Sequence, residues 1–441
     1  MVDHLALPRQ PFSKKHSLGH LRSDREPKEN MTSFLQLAIA LTILISAAKL
    51  GGYLSYRLGQ PSVLGELIVG IIFGPSVLNF LNLPYFTDTH LTESIRYLAE
   101  IGVLLLMFLA GLDLHVSDLL RSRKISGLSG FIGMIIPLVL GTLTGMLFSK
   151  DISQSLFLGL ILSATSVSIS AQTLMELKVL RSRVGVSLMG AAIFDDILVL
   201  LGLSIFTAFI QPDVDAGIAS ILLIILKILL FLGIGSLIGI FIFPRLSNLI
   251  GGLPISQGLI AFAFVTLLIY GWTAETFGHM AAITGAFLAG LWFGRTPAKD
   301  IIHTGISTIA YGVFVPIFFI NIGLSANIRE LSLGSGLLFL VMLLVAVIAK
   351  IFGAGIGAFW GGFTRQESLQ LGIGMISRGE VGLIAAAIGI ELGLIDQNTF
   401  SVVVGIVLIT TLITPPLIRS VFHKKQLNGA ETQNPPGGVI Q

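Results

Sequence analysis

Gly190-Ala191-Ala192-Ile193-Phe194-Asp195-Asp196-Ile197-Leu198-Val199-Leu200-Leu201-Gly202-Leu203 is the stretch that decides the fold. It lies inside a 27-residue run, Val184 to Ile210, whose only charges are the two adjacent aspartates. A run that long and apolar predicts a membrane-spanning helix, and each carboxylate near its centre costs roughly 2.5–3.5 kcal/mol on insertion. Structure alone does not need them. Ionisable groups at that depth line water-filled cavities, ion routes or proton relays, so Asp195 and Asp196 are candidate sites for a transported monovalent cation or a proton.

The composition agrees. Of the 441 residues 54% are hydrophobic and 12% charged, about half the charge of an ordinary soluble domain. Mean hydropathy is +0.90. The 50 glycines follow no period, which excludes a collagen-like chain and suits helices that pack closely or break within a bilayer. With no cysteine there is no disulfide framework and no thiolate metal site. A net charge of +3 carries no signal for nucleic acid, and the Lys and Arg positions are better read as topology.

Apolar runs of about 20 residues give thirteen candidate spans, at 33–55, 62–82, 96–112, 126–148, 154–175, 184–210, 218–243, 256–274, 279–294, 308–325, 334–360, 367–391 and 399–420. The expected fold is therefore all-α and integral to the membrane. Residues 33–420 form the transmembrane domain, with no room between spans for a soluble catalytic domain. Residues 1–32 form a polar, basic leader, expected to be disordered or an over-called start ahead of Met31, and residues 421–441 a disordered tail. Arg57, Arg121, Arg123, Lys124, Lys178, Arg181, Arg183, Arg245, Arg295, Lys299, Arg365, Arg419, Lys424 and Lys425 fall on one side, against Arg96, Lys150 and Arg329 on the other, once the leader is set aside with Arg9, Lys14, Lys15, Arg22, Arg25 and Lys28, six cations that would count against this orientation. The positive-inside rule makes the first side cytoplasmic, with the C-terminus inside and the first span starting outside.

The chain repeats itself. Gly65-Glu66-Leu67-Ile68-Val69-Gly70-Ile71-Ile72-Phe73-Gly74 shares three glycines and a phenylalanine in register with Gly285-Ala286-Phe287-Leu288-Ala289-Gly290-Leu291-Trp292-Phe293-Gly294. Gly111-Leu112 and Asp118-Leu119 echo Gly323-Leu324 and Glu330-Leu331, and Leu156, Leu158 and Gly159 echo Leu369, Leu371 and Gly372. Each pair lies seven spans apart. An odd separation means opposite directions through the bilayer, hence an inverted-topology repeat, the architecture of secondary transporters.

The fifth span holds the hydroxyl run Ser163-Ala164-Thr165-Ser166-Val167-Ser168-Ile169-Ser170 and its repeat mate holds Ser377-Arg378-Gly379-Glu380. Hydroxyls can satisfy backbone groups freed by unwinding, and a cation and an anion can neutralise opposite helix ends at a break. Two crossing broken helices follow, supported by Ser163, Thr165, Ser166, Arg378 and Glu380. Lys350, deep in the eleventh span, needs a buried anion, and Asp195 is the expected partner. That leaves Asp196, about 100° round the helix, to take an ion. Lys227, Glu66, Glu100 and Asp113 lie close enough to span ends to be reached from the interface or paired locally, and His279 reads as a boundary residue.

Together, Pro61 to Gly70, Ala99 to Leu112, the hydroxyl run, Phe194-Asp195-Asp196, Gly285 to Gly290, Lys350 and Arg378 to Gly382 resemble the monovalent cation/proton antiporters of the second cation/proton antiporter family, nearest the NapA-type sodium/proton exchangers. The resemblance spans residues 33 to 420. It implies a homodimer in a bacterial-type inner or internal membrane, each protomer with a dimerisation domain and a core that moves as an elevator. It also implies Asp196 as the essential ion-binding carboxylate, with Asp195 and Lys350 as its paired neighbours. The Kef-type branch carries Gln-Asp where this chain has Asp195-Asp196, which argues against nucleotide-gated potassium efflux. The expected activity is electrogenic exchange of Na+ or Li+ for H+, serving pH homeostasis, with no enzyme chemistry, cofactor or nucleotide. K+/H+ exchange by the same site is the nearest alternative, and an organic-anion symporter or a gated channel are the more distant ones.

Overall fold

Runs of Leu, Ile, Val and Gly broken by Pro, Gly and charge fold here as helices stacked side by side. The computed structural model describes residues 31–148, 151–210, 218–325 and 336–431, and there is no strand among them. The first stretch gives α1 (Ser33–Arg57), α2 (Ser62–Phe73), α3 (Leu91–Asp113) and α4 (Val116–Phe148). Next come the half-helices α5 (Ile152–Ser163) and α6 (Val167–Glu176), then α7 (Arg183–Ile210). The central region gives α8 (Ile218–Phe241), α9 (Phe243–Gly251), α10 (Gly258–Thr276) and α11 (Ala282–Phe293). α12 (Lys299–Ile309) joins α13 (Val315–Leu324) through a π-helical turn at Ala310–Phe314. The chain closes with α14 (Gly336–Gly361), the half-helices α15 (Arg365–Gly374) and α16 (Glu380–Glu391), and α17 (Gln397–Glu431).

Ten of the described helical segments are long and apolar enough to cross a membrane. Three shorter apolar ones stand beside them: α2, α11 and Val381–Ile390. The protein is thus an all-helical, multi-pass membrane protein. Candidate spans two and nine are shorter helices than their apolar runs: Gly74-Pro75 ends α2 early, and α11 starts only at Ala282. α17 runs on to Glu431, past the 420 limit read from the sequence. Lys150, Arg329, Glu330, the leader to residue 30 and the last ten residues lie outside the described residues.

The helices pack as two bundles. α4 to α7 and α14 to α17 contact one another, and α1 to α3 and α8 to α13 do the same. α2, α3 and α6 meet at the seam between them, with α17 against α2. Within each bundle glycine brings backbones together, as expected where lipid supplies no hydrophobic drive. On α14, Gly353, Gly357 and Gly361 recur every fourth residue, and Cβ atoms there would run into Ile132 O, Leu128 O and Ile125 of α4. The repeated glycines behave alike. A Cβ on Gly65 or Gly70 would strike backbone of α1 or α13, and one on Gly285 or Gly290 would strike backbone of α10 or α3.

Gly357→Val should therefore destabilise the α4–α14 seam by about 1–3 kcal/mol through overpacking. Gly127→Ala, where an added Cβ meets nothing within 4 Å, should leave stability unchanged. Thermal unfolding in detergent reads both, and equal melting temperatures for the two variants would exclude backbone contact as the basis of the seam.

Candidate functional site

The close α4–α14 and α4–α7 crossings set the depth and spacing of the charged groups. Gly130 of α4 lies against Ala191 and Phe194 of α7, one turn before the aspartates. Lys350 projects from α14 into the same space, and Asp195 and Lys350 both have 0% surface exposure. The Lys350 Nζ stands 3.0 Å from Asp195 Oδ2 and 3.1 Å from Oδ1, which is the pairing the sequence predicts. Asp196, the next residue of α7, is 2% exposed.

The two helix breaks meet beside this pair. α5 ends at Ser163 and α6 restarts at Val167, and the residues between run extended. α15 opens with a capping box, Thr364 with Glu367, and ends at Gly374, with five residues between it and α16. Backbone left without helical partners at membrane depth needs others from the protein. The breaks supply them to each other. Ser166 N–H donates to Ser377 O at 2.7 Å, and Ser377 Oγ donates back to Ser166 O at 2.8 Å. Ser170 Oγ donates to Gly374 O at 2.5 Å.

Arg378 is 1% exposed and spends its guanidinium on carbonyls. Nε and Nη2 donate to Leu162 O at 3.1 and 2.6 Å, Nη1 to Ile376 O at 2.7 Å, and Nη2 also to Ala346 O at 3.0 Å. Leu162 sits at the C-terminal end of α5, where the helix dipole places partial negative charge, so the cation caps it. The other expected supports divide. Thr165 donates its hydroxyl to Asp195 Oδ2 at 2.6 Å and so touches the charged pair itself. Ser163 turns back to Leu160 O at 2.6 Å, and Ser166 Oγ meets Ser168 Oγ at 3.1 Å. Glu380 is the first residue of α16, and its side chain lies outside what is described.

One group went unread in the sequence and another was misplaced. Thr411 of α17 donates to Arg378 O at 2.7 Å, whereas its neighbours Thr410 and Thr414 bond back to their own helix. The cluster Thr410-Thr411-Leu412-Ile413-Thr414 in an apolar span was the available signal. Glu66, expected within reach of the interface, is only 6% exposed and has Lys49 Nζ at 3.9 Å. Asp113 and Lys227 also have partners. Asp113 accepts from Arg181 at 2.7 Å, and Lys227 lies 2.9 Å from His279 Nε2. Burial, then the Lys227 ammonium, holds the His279 imidazole below the usual histidine range.

What the arrangement can do is hold one small cation or proton at an aspartate whose neighbour is neutralised in place. The model of the family described as "Sodium/hydrogen exchanger, transmembrane" matches residues 41–424. The chain is 39% identical over 393 residues to the Na(+)/H(+)-K(+) antiporter GerN of Bacillus cereus, covering 89% of this chain and 97% of that one. It is 35% identical over 385 residues to the Na(+)/H(+) antiporter of Enterococcus hirae, covering 87% and 97%. Among solved structures, the sodium proton antiporter MjNhaP1 from Methanocaldococcus jannaschii superposes with a TM-score of 0.65 at 18% identity, covering 88% and 97%. That likeness is one of fold.

Removing one partner of a buried ion pair strands the other, at a cost of about 3–5 kcal/mol, whereas removing both costs much less. Lys350→Leu alone is expected to lower the melting temperature in detergent more than Lys350→Leu combined with Asp195→Leu. Strictly additive losses would show that the two groups do not sense each other.

Proposed function

This chain belongs to the sodium/hydrogen exchanger family, and we propose that it exchanges Na+ or Li+ for protons as a secondary active antiporter, with Asp196 taking either cargo. One observation carries the reading: a second buried aspartate stands directly beside one already neutralised by Lys350, at the meeting point of two broken helices. A carboxylate in that setting can be neutralised by H+ or by Na+, and only a neutralised site crosses the membrane cheaply. Competition between the two gives exchange, driven by the proton gradient. The cation leaves the cytoplasm, on the Lys- and Arg-rich side, as protons move in.

The finer architecture belongs to the same proposal. The reading of thirteen crossings draws support from the ten long spans and three shorter apolar helices, and the loop charges support a cytoplasmic C-terminus with the first span starting outside. The inverted repeat draws support from the matched glycines, since α2 against α1 and α13 mirrors α11 against α10 and α3. The bundle of α4 to α7 and α14 to α17 is the core that moves as an elevator. The other bundle holds still and forms the homodimer. K+/H+ exchange is a second reading, favoured by the Bacillus cereus relative, whose name includes K+.

Asp196→Asn is expected to fold and to abolish exchange, because the amide is neutral without binding a cation. Recovery of a quenched pH-gradient dye in proteoliposomes pulsed with Na+, Li+ or K+ measures it, and ranks the cargo in the unaltered protein. Cation-driven proton movement at the full rate in Asp196→Asn would remove that residue from the role.

Exchange is proposed to be electrogenic. A cation at Asp196 loosens Asp195 from Lys350 and lets the lysine give up its proton, so more protons than cations move per cycle. The rate in proteoliposomes should follow a potassium–valinomycin potential, and should ignore it in Asp195→Asn/Lys350→Gln if that variant still exchanges. A rate in the unaltered protein that ignores the potential would make the pair purely structural.

A further inference from the structure

Glu176 is the last residue of α6, where its own helix dipole disfavours a carboxylate. The side chain leaves that helix. Its Oε2 accepts the Ser62 N–H at 2.7 Å and its Oε1 accepts the Ser62 hydroxyl at 2.6 Å. Gln172, one turn back, donates to Oε1 at 2.8 Å and steadies it. Ser62 is the first residue of α2, and the N-cap before it, Pro61, offers no side-chain cap. A carboxylate of one bundle thus caps the start of a helix in the other, where the dipole favours it.

Further polar contacts cross the seam at the same end. Arg181, in the loop after α6, donates to Asp113, the last residue of α3, at 2.7 Å, and His303 of α12, in the same bundle as Asp113, lies 3.6 Å from the same oxygen. Tyr311 Oη donates to Met175 Sδ at 3.8 Å. Beside the Glu176 cap the seam opens into a cavity of about 470 Å³ whose lining includes Lys49, Ser62, Glu66, Glu176 and Arg419. Side-chain tips hold the bundles together across open space here, in contrast to the backbone-to-backbone glycine contacts within each bundle. Such contacts can part and reform without repacking either side.

We propose that the Glu176–Ser62 cap, backed by Arg181–Asp113, is the gate that closes the Lys- and Arg-rich end of the seam and opens in every transport cycle. This rests on the elevator reading. The chain has no cysteine of its own, so paired cysteines can test it. Ser62→Cys/Glu176→Cys protein in proteoliposomes is bridged with a short bifunctional methanethiosulfonate reagent, and Na+-driven proton movement is followed before and after dithiothreitol. The expected result is a loss of about tenfold or more on bridging, reversed by reduction, because the closed gate holds the core. Bridging Gln36→Cys/Thr87→Cys, a pair bonded within one bundle, should leave the rate unchanged. Bridged Ser62→Cys/Glu176→Cys protein that still exchanges at its reduced rate overturns the gate.

If loss of the carboxylate itself stops exchange, Ser62→Cys alone keeps Glu176. Its thiol should then react faster with a maleimide while Na+ and a pH gradient drive cycling than without Na+. A labelling rate indifferent to Na+ overturns the gate equally. Unaltered protein that moves no protons with any cation would sink the antiporter reading and the gate with it. An active protein with an insensitive bridge sinks the gate alone.

Discussion

An ammonium group with no exposed surface, held 3.0 Å from a carboxylate equally buried, is the constraint on which the rest depends. Such a pair adds little stability of its own, since desolvating both charges offsets most of their attraction. Its hold on the structure is negative. Any packing that separates Lys350 from Asp195 leaves a bare charge in hydrocarbon, so α7 and α14 must meet at one depth and one rotation. The glycines on α4 and α14 make that approach possible by removing the side chains that would keep the backbones apart. Charge sets the register, and missing side chains allow it.

The same logic governs the breaks. Interrupting a helix at membrane depth frees carbonyls and N–H groups that lipid cannot satisfy. Here each break answers the other through Ser166 and Ser377, and Arg378 takes the carbonyls at the end of α5. Arginine suits this place better than lysine, because its planar fork of five donors reaches carbonyls on α5 and α14 and one on its own segment together. Thr411 holds the backbone of Arg378 from α17, so four membrane segments are fastened to one residue. Thr165 links this assembly to the charged pair, and a shift of the break is thereby felt at Asp195.

Much of this is legible in the sequence, for a physical reason. In a chain so apolar, each mid-span charge demands an answering group, and few candidates exist. Lys350 could be matched to Asp195 without coordinates, and Arg378 could be assigned to a helix end. The bond from Thr165 to Asp195 could not, because a hydroxyl satisfies itself as cheaply on its own helix, as Ser163 does. Thr411 hid for the same reason among Thr410 and Thr414. Glu66 and Glu176 were misjudged or unread because both sit near span ends, where water is normally available to a carboxylate. Only the packing of α1, α2 and α6 shows how far each is enclosed. The extents of α2 and α11 also eluded hydropathy, which counts apolar residues whether or not the chain stays helical.

The two kinds of contact in the molecule divide it mechanically. Where a glycine backbone lies on another backbone, sliding by a fraction of a residue produces clashes along the whole crossing, so each bundle behaves as one piece. Where the bundles meet at Glu176 and Arg181, contact runs through the ends of flexible side chains beside a cavity, and displacement costs a few charge-assisted hydrogen bonds that water can replace. The Asp195–Lys350 pair and both breaks lie wholly within one bundle. On the elevator proposal, motion at the seam would change which side reaches Asp196 while the groups around it keep their distances.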